Sequence, residues 1–179
     1  RELLKTLVTM VKPLRILEIG TAIGYSSIIM HQCQPEGGVI TTIERNDNRF
    51  ERAMANIKKS GYEDAITVIK GDALEKLQDL TKEPAYDFIF MDAAKGQYQA
   101  FFDLAKEVLK PGGLIVCDNV LQDGDVSKSR FGVERRNRTI HGRMRDFLFW
   151  LKRNEEYQTV ILPIGDGVAI SQHLIQKEA

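Results

Sequence analysis

The sequence predicts an α/β protein, a three-layer sandwich whose mostly parallel sheet carries helices on both faces. Three observations carry that prediction. Short apolar runs alternate five times with stretches of helical periodicity, and strand–helix repetition of this kind lays the strands parallel. Asp92 and the pair Asp118–Asn119 stand where apolar runs end, in FIFMDAAK (88–95) and GLIVCDNV (113–120). Open parallel sheets gather ligands outside such carboxyl ends. The last two runs, TVILPI (159–164) and GVAISQ (167–172), flank Gly165–Asp166–Gly167, a hairpin signal that adds an antiparallel edge.

Each element has a local reason. Residues 2–12 place Leu3, Leu4, Leu7, Val8 and Val11 at helical spacing, and Pro13 ends the run. RILEIG (15–20) is a buried strand, and after Gly24 a helix runs from Ser26 to about Cys33. Gly37–Gly38 turn the chain into VITTIE (39–44); Asp47 is a candidate cap for the helix that continues to Lys59 and stops at Gly61. AITVIKG (65–71), a short helix at 73–80 and a strand at Tyr86–Met91 follow. A helix at about 97–109 ends at Pro111–Gly112–Gly113, before the strand Leu114–Cys117. Residues 121–134 hold two glycines and few apolar side chains and read as an active-site loop, and a longer helix at about 137–152 precedes the hairpin. Phe147, Phe149 and Trp150 near its end are assigned to the core.

The 179 residues suit one domain, 1–179, with 43% hydrophobic and 28% charged side chains, as in ordinary globular proteins. Basic and acidic residues number 25 each, so any affinity for nucleic acid must come from local clusters. The two cysteines, Cys33 and Cys117, fall in a helix and an apolar strand and read as free thiols of a reducing, cytoplasmic compartment. No stretch has the length of a membrane span or the form of a signal peptide. The chain begins at Arg1 inside a helical pattern, and a missing upstream segment is expected.

Two neighbouring strand ends delivering Asp92, Asp118 and Asn119 to one point make an all-oxygen site. Such a site suits a hard divalent cation, Mg²⁺, Mn²⁺ or Ca²⁺ rather than zinc, with Mg²⁺ the first expectation. Three protein ligands leave positions open for substrate. A solvated strand-end aspartate is the plainer alternative for each.

The turn LEIGTAIGYSS (17–27) spaces Gly20 and Gly24 as G-x-x-x-G, not as the dinucleotide G-x-G-x-x-G, which argues against a nicotinamide dehydrogenase. Glu18 disfavours a phosphate there and suits a cationic group such as an amine; a buried carboxylate satisfied by backbone donors is the alternative. Glu44 ends the second strand, where an acid can accept from ribose hydroxyls. Asp72, in Gly71–Asp72–Ala73, can accept from an exocyclic amine or simply cap a helix. Together these describe a nucleoside with an amino-acid-like tail, and S-adenosylmethionine fits.

With LEIGTAIGYSS, Glu44, GDA (71–73), MDAAK (91–95), LKPGG (109–113) and CDNV (117–120) in this order, the chain resembles the cation-dependent class I O-methyltransferases of catechol and caffeoyl-CoA type. The resemblance implies a Rossmann-like methyltransferase fold with seven strands. It implies an S-adenosylmethionine site at Glu18, Gly20, Thr21, Ser26, Glu44, Gly71, Asp72, Ala73 and Asp92, and metal ligands Asp92, Asp118 and Asn119. Lys95 would be the base: beside a cation an amine is held neutral and can take a proton. Its alternative is a surface lysine paired with Asp92 or Asp123. A homodimer is implied as well. Ala94 stands where the plant enzymes carry an acid, a departure that points away from a plant-like acyl-CoA acceptor.

MDAAKGQYQAFF, DNVLQDGDV, RRNRTIHGRM and ILPIGDGVAIS further resemble the bacterial tRNA 5-hydroxyuridine methyltransferases. The expected acceptor is therefore the 5-hydroxyl of 5-hydroxyuridine in tRNA, with Arg135, Arg136, Arg138 and Arg143 as phosphate contacts. A solvated helix face or a subunit contact would explain the same arginines. A small catechol-like phenol keeps the chemistry and changes the acceptor. A non-catalytic RNA-binding module is the alternative of another class, opposed by the Asp92, Lys95, Asp118 and Asn119 set.

Overall fold

The computed structural model describes residues 1–80, 84–121 and 138–175. Helices α1 (Glu2–Val11), α2 (Tyr25–Cys33), α3 (Asp47–Ser60), α4 (Ala73–Asp79), α5 (Tyr98–Ala105) and α6 (Arg138–Arg153) surround one sheet. Its strands are β1 (Arg15–Ile19), β2 (Val39–Glu44), β3 (Ile66–Lys70), β4 (Tyr86–Met91), β5 (Leu109–Cys117), β6 (Tyr157–Leu162) and β7 (Val168–His173). The order across the sheet is β3-β2-β1-β4-β5-β7-β6. The first five are parallel and β7 runs antiparallel to both β5 and β6. This is the seven-stranded, Rossmann-like arrangement expected, with its strand order reversing between β1 and β4, the place where doubly wound sheets open a crevice.

Side chains alternate across the strands, so each strand supplies both layers. Leu17, Ile19, Ile43, Ile89, Met91 and Ile115 join α5 and α6 residues in one core cluster. Ile16, Ile40, Ile66, Phe88, Phe90 and Val116 pack with Val8, Met30 and Ile57 of α1, α2 and α3 in the other. Double-sided burial explains why these strands read as continuous apolar runs.

Several boundaries differ from expectation. Asn46, not Asp47, caps α3, its side chain accepting from the Arg49 N–H at 3.0 Å. Strand β5 begins at Leu109, because Leu109 pairs with Tyr86 before the register shifts and resumes at Phe88–Leu114. Pro111–Gly112–Gly113 thus occupies an irregularity within the strand rather than a turn before it. Helix α5 is shorter than 97–109, with 3₁₀ turns at Lys95–Gln97 and Lys106–Val108 on either side. Phe147 is buried and Trp150 packs on Phe102 and Phe147, but Phe149 is 58% exposed, with the Arg153 guanidinium 3.8 Å above its ring. Both cysteines are free. Among the described residues no helix is long and apolar enough to cross a membrane.

Candidate functional site

The strand ends are tied to one another by backbone hydrogen bonds. The Asp92 N–H donates to the Ile19 carbonyl at 3.0 Å, and the Asp118 N–H to the Met91 carbonyl at 2.9 Å. The ends of β1, β4 and β5 therefore sit in fixed register, and Asp92 and Asp118 leave the sheet side by side. The Asn119 amide closes the group, donating from Nδ2 to Asp92 Oδ1 at 2.8 Å. Asn119 adopts φ 58°, a left-handed conformation that costs a residue other than glycine about 1–2 kcal/mol. That turn brings its side chain back over the end of β4. The structure thus brings the Asp92 and Asn119 side chains into contact and places Asp118 on the wall of the same cavity.

Burial, and secondarily the charge of Asp92, raises the Asp118 carboxyl above the usual carboxylate range, while the Asn119 N–H at 2.8 Å works the other way. An acid in this state beside a second carboxylate makes a site that a cation would relieve. The donor set is hard oxygen, as Mg²⁺ and its relatives require. For its oxygen to join them, the Asn119 amide turns over from its present orientation. The residues fit a divalent cation.

Two cavities meet at this point. One, of about 470 Å³, is lined by Gly20, Glu44, Gly71, Asp72, Ala73 and Asp92, together with Arg45, Arg49, Gln97 and Phe101. The other, of about 460 Å³, is lined by Thr21, Ser26, Asp92, Asp118 and Asn119, with Leu3, Leu4 and Leu7 of α1 and Ile164–Asp166 of the hairpin turn. Asp92 and Ala22 line both. Asp92 thus stands on the partition between a polar cavity and a more apolar one.

The loop after β1 is built by close packing. Gly20 has φ 103°, and a Cβ there would overlap the carbonyl oxygen of Asp92, so only glycine lets β1 and β4 come this close. Glu44, 6% exposed, accepts from the Ala22 N–H at 2.9 Å and from the Asn46 N–H at 2.8 Å. It fixes the loop and the start of α3 and lines the first cavity. Asp72 takes the plainer of its two expected roles, capping α4 through the Leu74 N–H at 2.9 Å, and also lines the cavity.

Glu18 stands in β1 just before the turn, as read, but as the plainer of its two readings, a buried carboxylate. It is fully buried, lines neither cavity, and accepts from Ser26, Ser27 and Thr42. It is satisfied by side-chain hydroxyls rather than backbone donors, and Ser26 stands between it and the second cavity. Burial, opposed by those three hydroxyls, pushes its carboxyl up to about 7.

Lys95 begins the 3₁₀ turn after Asp92, half-buried, and lines neither cavity; its charge nevertheless acts on Asp118, lowering that carboxyl. Arg135 and Arg136, like residues 122–137 generally, lie outside the described residues, as does the side chain of Arg138. Arg143 is exposed and donates from Nη1 to the Gly96 carbonyl at 3.3 Å, holding α6 against the turn that carries Lys95. Sequence reasoning did not single out Ala22, Arg45, Phe101 or the α1 leucines: Ala22 and Phe101 lie within quoted stretches without a chemical role of their own, and Arg45 and the leucines lie outside them. Cavity walls assembled from distant elements leave no local pattern to find.

The O-methyltransferase family profile matches residues 1–174. The catechol O-methyltransferase of Niastella koreensis is 39% identical over 113 residues, spanning 62% of this chain and 51% of the relative. The caffeoyl-CoA O-methyltransferase of Populus kitakamiensis is 30% identical over 175 residues, spanning 96% of this chain and 74% of the relative. The crystal structure of the O-methyltransferase from Bacillus cereus in complex with SAH matches with a TM-score of 0.86 at 28% identity, over 96% of this chain and 79% of that one. The chain belongs to the O-methyltransferase family, the class I enzymes of caffeoyl-CoA and catechol type that use S-adenosylmethionine.

Proposed function

We propose that the chain methylates a hydroxyl that has a second oxygen beside it, with a divalent cation held by Asp92, Asp118 and Asn119. The observation that carries this reading is the position of Asp92, on the wall shared by both cavities and bonded to Asn119 at 2.8 Å. The nucleoside of S-adenosylmethionine occupies the first cavity, where Glu44 accepts from ribose hydroxyls and Asp72 and Ala73 meet the base. The amino-acid tail reaches Thr21 and Ser26 in the second.

A bound cation would supply the Lewis acidity that lets a hydroxyl ionise near neutral pH. The protein's part is placement and proton removal. Asp92 and Asp118 fix the site at the junction of the cavities, and Lys95, which lines neither cavity as it stands, would turn in from its 3₁₀ turn to take the hydroxyl proton. The apolar wall from α1 and Phe90 shields the acceptor from water. Holding an acceptor in line with the methyl group is worth up to roughly 7–11 kcal/mol.

For the acceptor itself, a small catechol-like phenol accords with the family's catechol-type relatives and with a second cavity of about 460 Å³. The 5-hydroxyuridine of tRNA offers the same chemistry, since its C4 carbonyl and C5 hydroxyl are adjacent oxygens. Of the four arginines proposed for tRNA, only Arg143 has a described side chain, and it is turned to Gly96. Turnover on a simple catechol and on hydroxyuridine-containing tRNA, each with and without EDTA, tests the reading. Preference for tRNA, lost on charge reversal at Arg135 and Arg136 while S-adenosylmethionine binding persists, would select the polynucleotide. Undiminished turnover under full chelation would remove the cation from the account.

A further inference from the structure

Tyr98, the first residue of α5, is 1% exposed, and its hydroxyl points at the backbone behind the candidate cation site. It donates to the Asp118 carbonyl at 2.7 Å and lies 3.3 Å from the Met91 carbonyl. Those carbonyls belong to Asp118 itself and to the residue before Asp92. The Asp118–Asn119 peptide is thus gripped on both sides, its carbonyl by Tyr98 and its N–H by Asp118 Oδ1 at 2.8 Å. This is the peptide that enters the left-handed Asn119, φ 58°. An unfavourable backbone conformation persists only where its surroundings over-determine it.

The ring is fixed as firmly as the hydroxyl. Its edge-to-face contact with Phe147 of α6, centroids 5.8 Å apart, holds the ring that carries the hydroxyl. Because the 3₁₀ turn Lys95–Gln97 leads directly into Tyr98, one side chain also joins the strand ends to the turn carrying Lys95.

We propose that Tyr98 is a positioning residue for the divalent-cation site, holding the Asp118–Asn119 peptide in the orientation that turns Asn119 toward Asp92. The inference rests on the cation reading above. Groups that orient metal ligands are typically worth 10–100-fold in metal affinity. Tyr98→Phe, which removes one oxygen and keeps the ring, is therefore expected to weaken Mn²⁺ binding to the otherwise unliganded protein about tenfold or more, measured by electron paramagnetic resonance. Binding of S-adenosylhomocysteine, followed by calorimetry, should change less than about twofold.

Two companions separate positioning from general loosening. Phe102→Leu, in the same helix and also buried, should lower the melting temperature at least as much while Mn²⁺ affinity stays within about twofold. Replacing Tyr98 by 4-aminophenylalanine restores a donor and should recover most of the affinity. Wild-type affinity in Tyr98→Phe, equal loss in Phe102→Leu, or no recovery with the amino variant would each overturn the role of Tyr98 while leaving the cation site standing. No Mn²⁺ binding by the wild-type protein would overturn the site and the inference together.

Discussion

Glu18→Gln isolates the consequence of burying an acid beneath the cofactor loop. Glu18 is fully buried and accepts from Ser26, Ser27 and Thr42, and burial pushes its carboxyl from 4.5 up to about 7. The native state therefore binds this proton more tightly than the unfolded chain does. Below pH 4.5 the group is protonated in both states and its contribution is constant. Between 4.5 and about 7 the unfolded state ionises while the native state resists, so stability falls as pH rises. Above 7 the loss is complete. At about 1.4 kcal/mol per pH unit, the interval corresponds to roughly 3 kcal/mol. Glutamine keeps the shape, and the hydroxyls can turn to accept from its amide, so the variant should lack this slope. Urea unfolding of both proteins between pH 4.5 and 8, without cation or cofactor, measures the difference. Glu18→Gln should gain about 3 kcal/mol relative to wild type across that window. A difference that stays constant within ~1 kcal/mol would refute the reasoning.

Other expectations follow from the same geometry. Gly20→Ala should cost at least ~2 kcal/mol in thermal unfolding, since its φ of 103° and the Asp92 carbonyl both exclude a side chain; Gly61→Ala, with open space around it, should cost only about 1 kcal/mol. Glu44→Gln should weaken S-adenosylhomocysteine binding about 10–100-fold by calorimetry, because hydrogen bonds to a charged group are worth about 1.5–3 kcal/mol; unchanged affinity would remove Glu44 from the ribose site. Lys95→Met should lower kcat about 10²–10⁴-fold with little change in the KM for S-adenosylmethionine, and a rate within threefold of wild type would exclude it as the base.

Much of this was legible in the sequence because its signals are local. The apolar runs mark strands buried on both faces, and the acids at their ends are placed by strand polarity alone, so it follows from topology that Asp92 and Asp118 leave neighbouring strands at one edge. What escaped depended on contacts distant along the chain. Nothing near Glu18 announces that Thr42 of the next strand and two serines of α2 enclose it. Pro111–Gly112–Gly113 carries a turn composition, and only pairing with Tyr86 reveals that the strand has already begun. Asn46 and Asp47 are both good caps, and choosing between them requires the backbone. Phe149 has the composition of core and the position of surface, which helical phase near the end of α6 could not separate.

The central claim is that three oxygen donors at two strand ends hold a divalent ion on which methyl transfer depends. Its most direct test is single-turnover transfer from S-adenosylmethionine to a catechol, in wild type and in Asp118→Asn, after chelation and again on adding back Mg²⁺. The account predicts that wild-type transfer disappears with EDTA and returns with Mg²⁺, while Asp118→Asn needs far more Mg²⁺ for any recovery. Transfer that continues at full rate in EDTA, or a variant with the wild-type Mg²⁺ requirement, would contradict it.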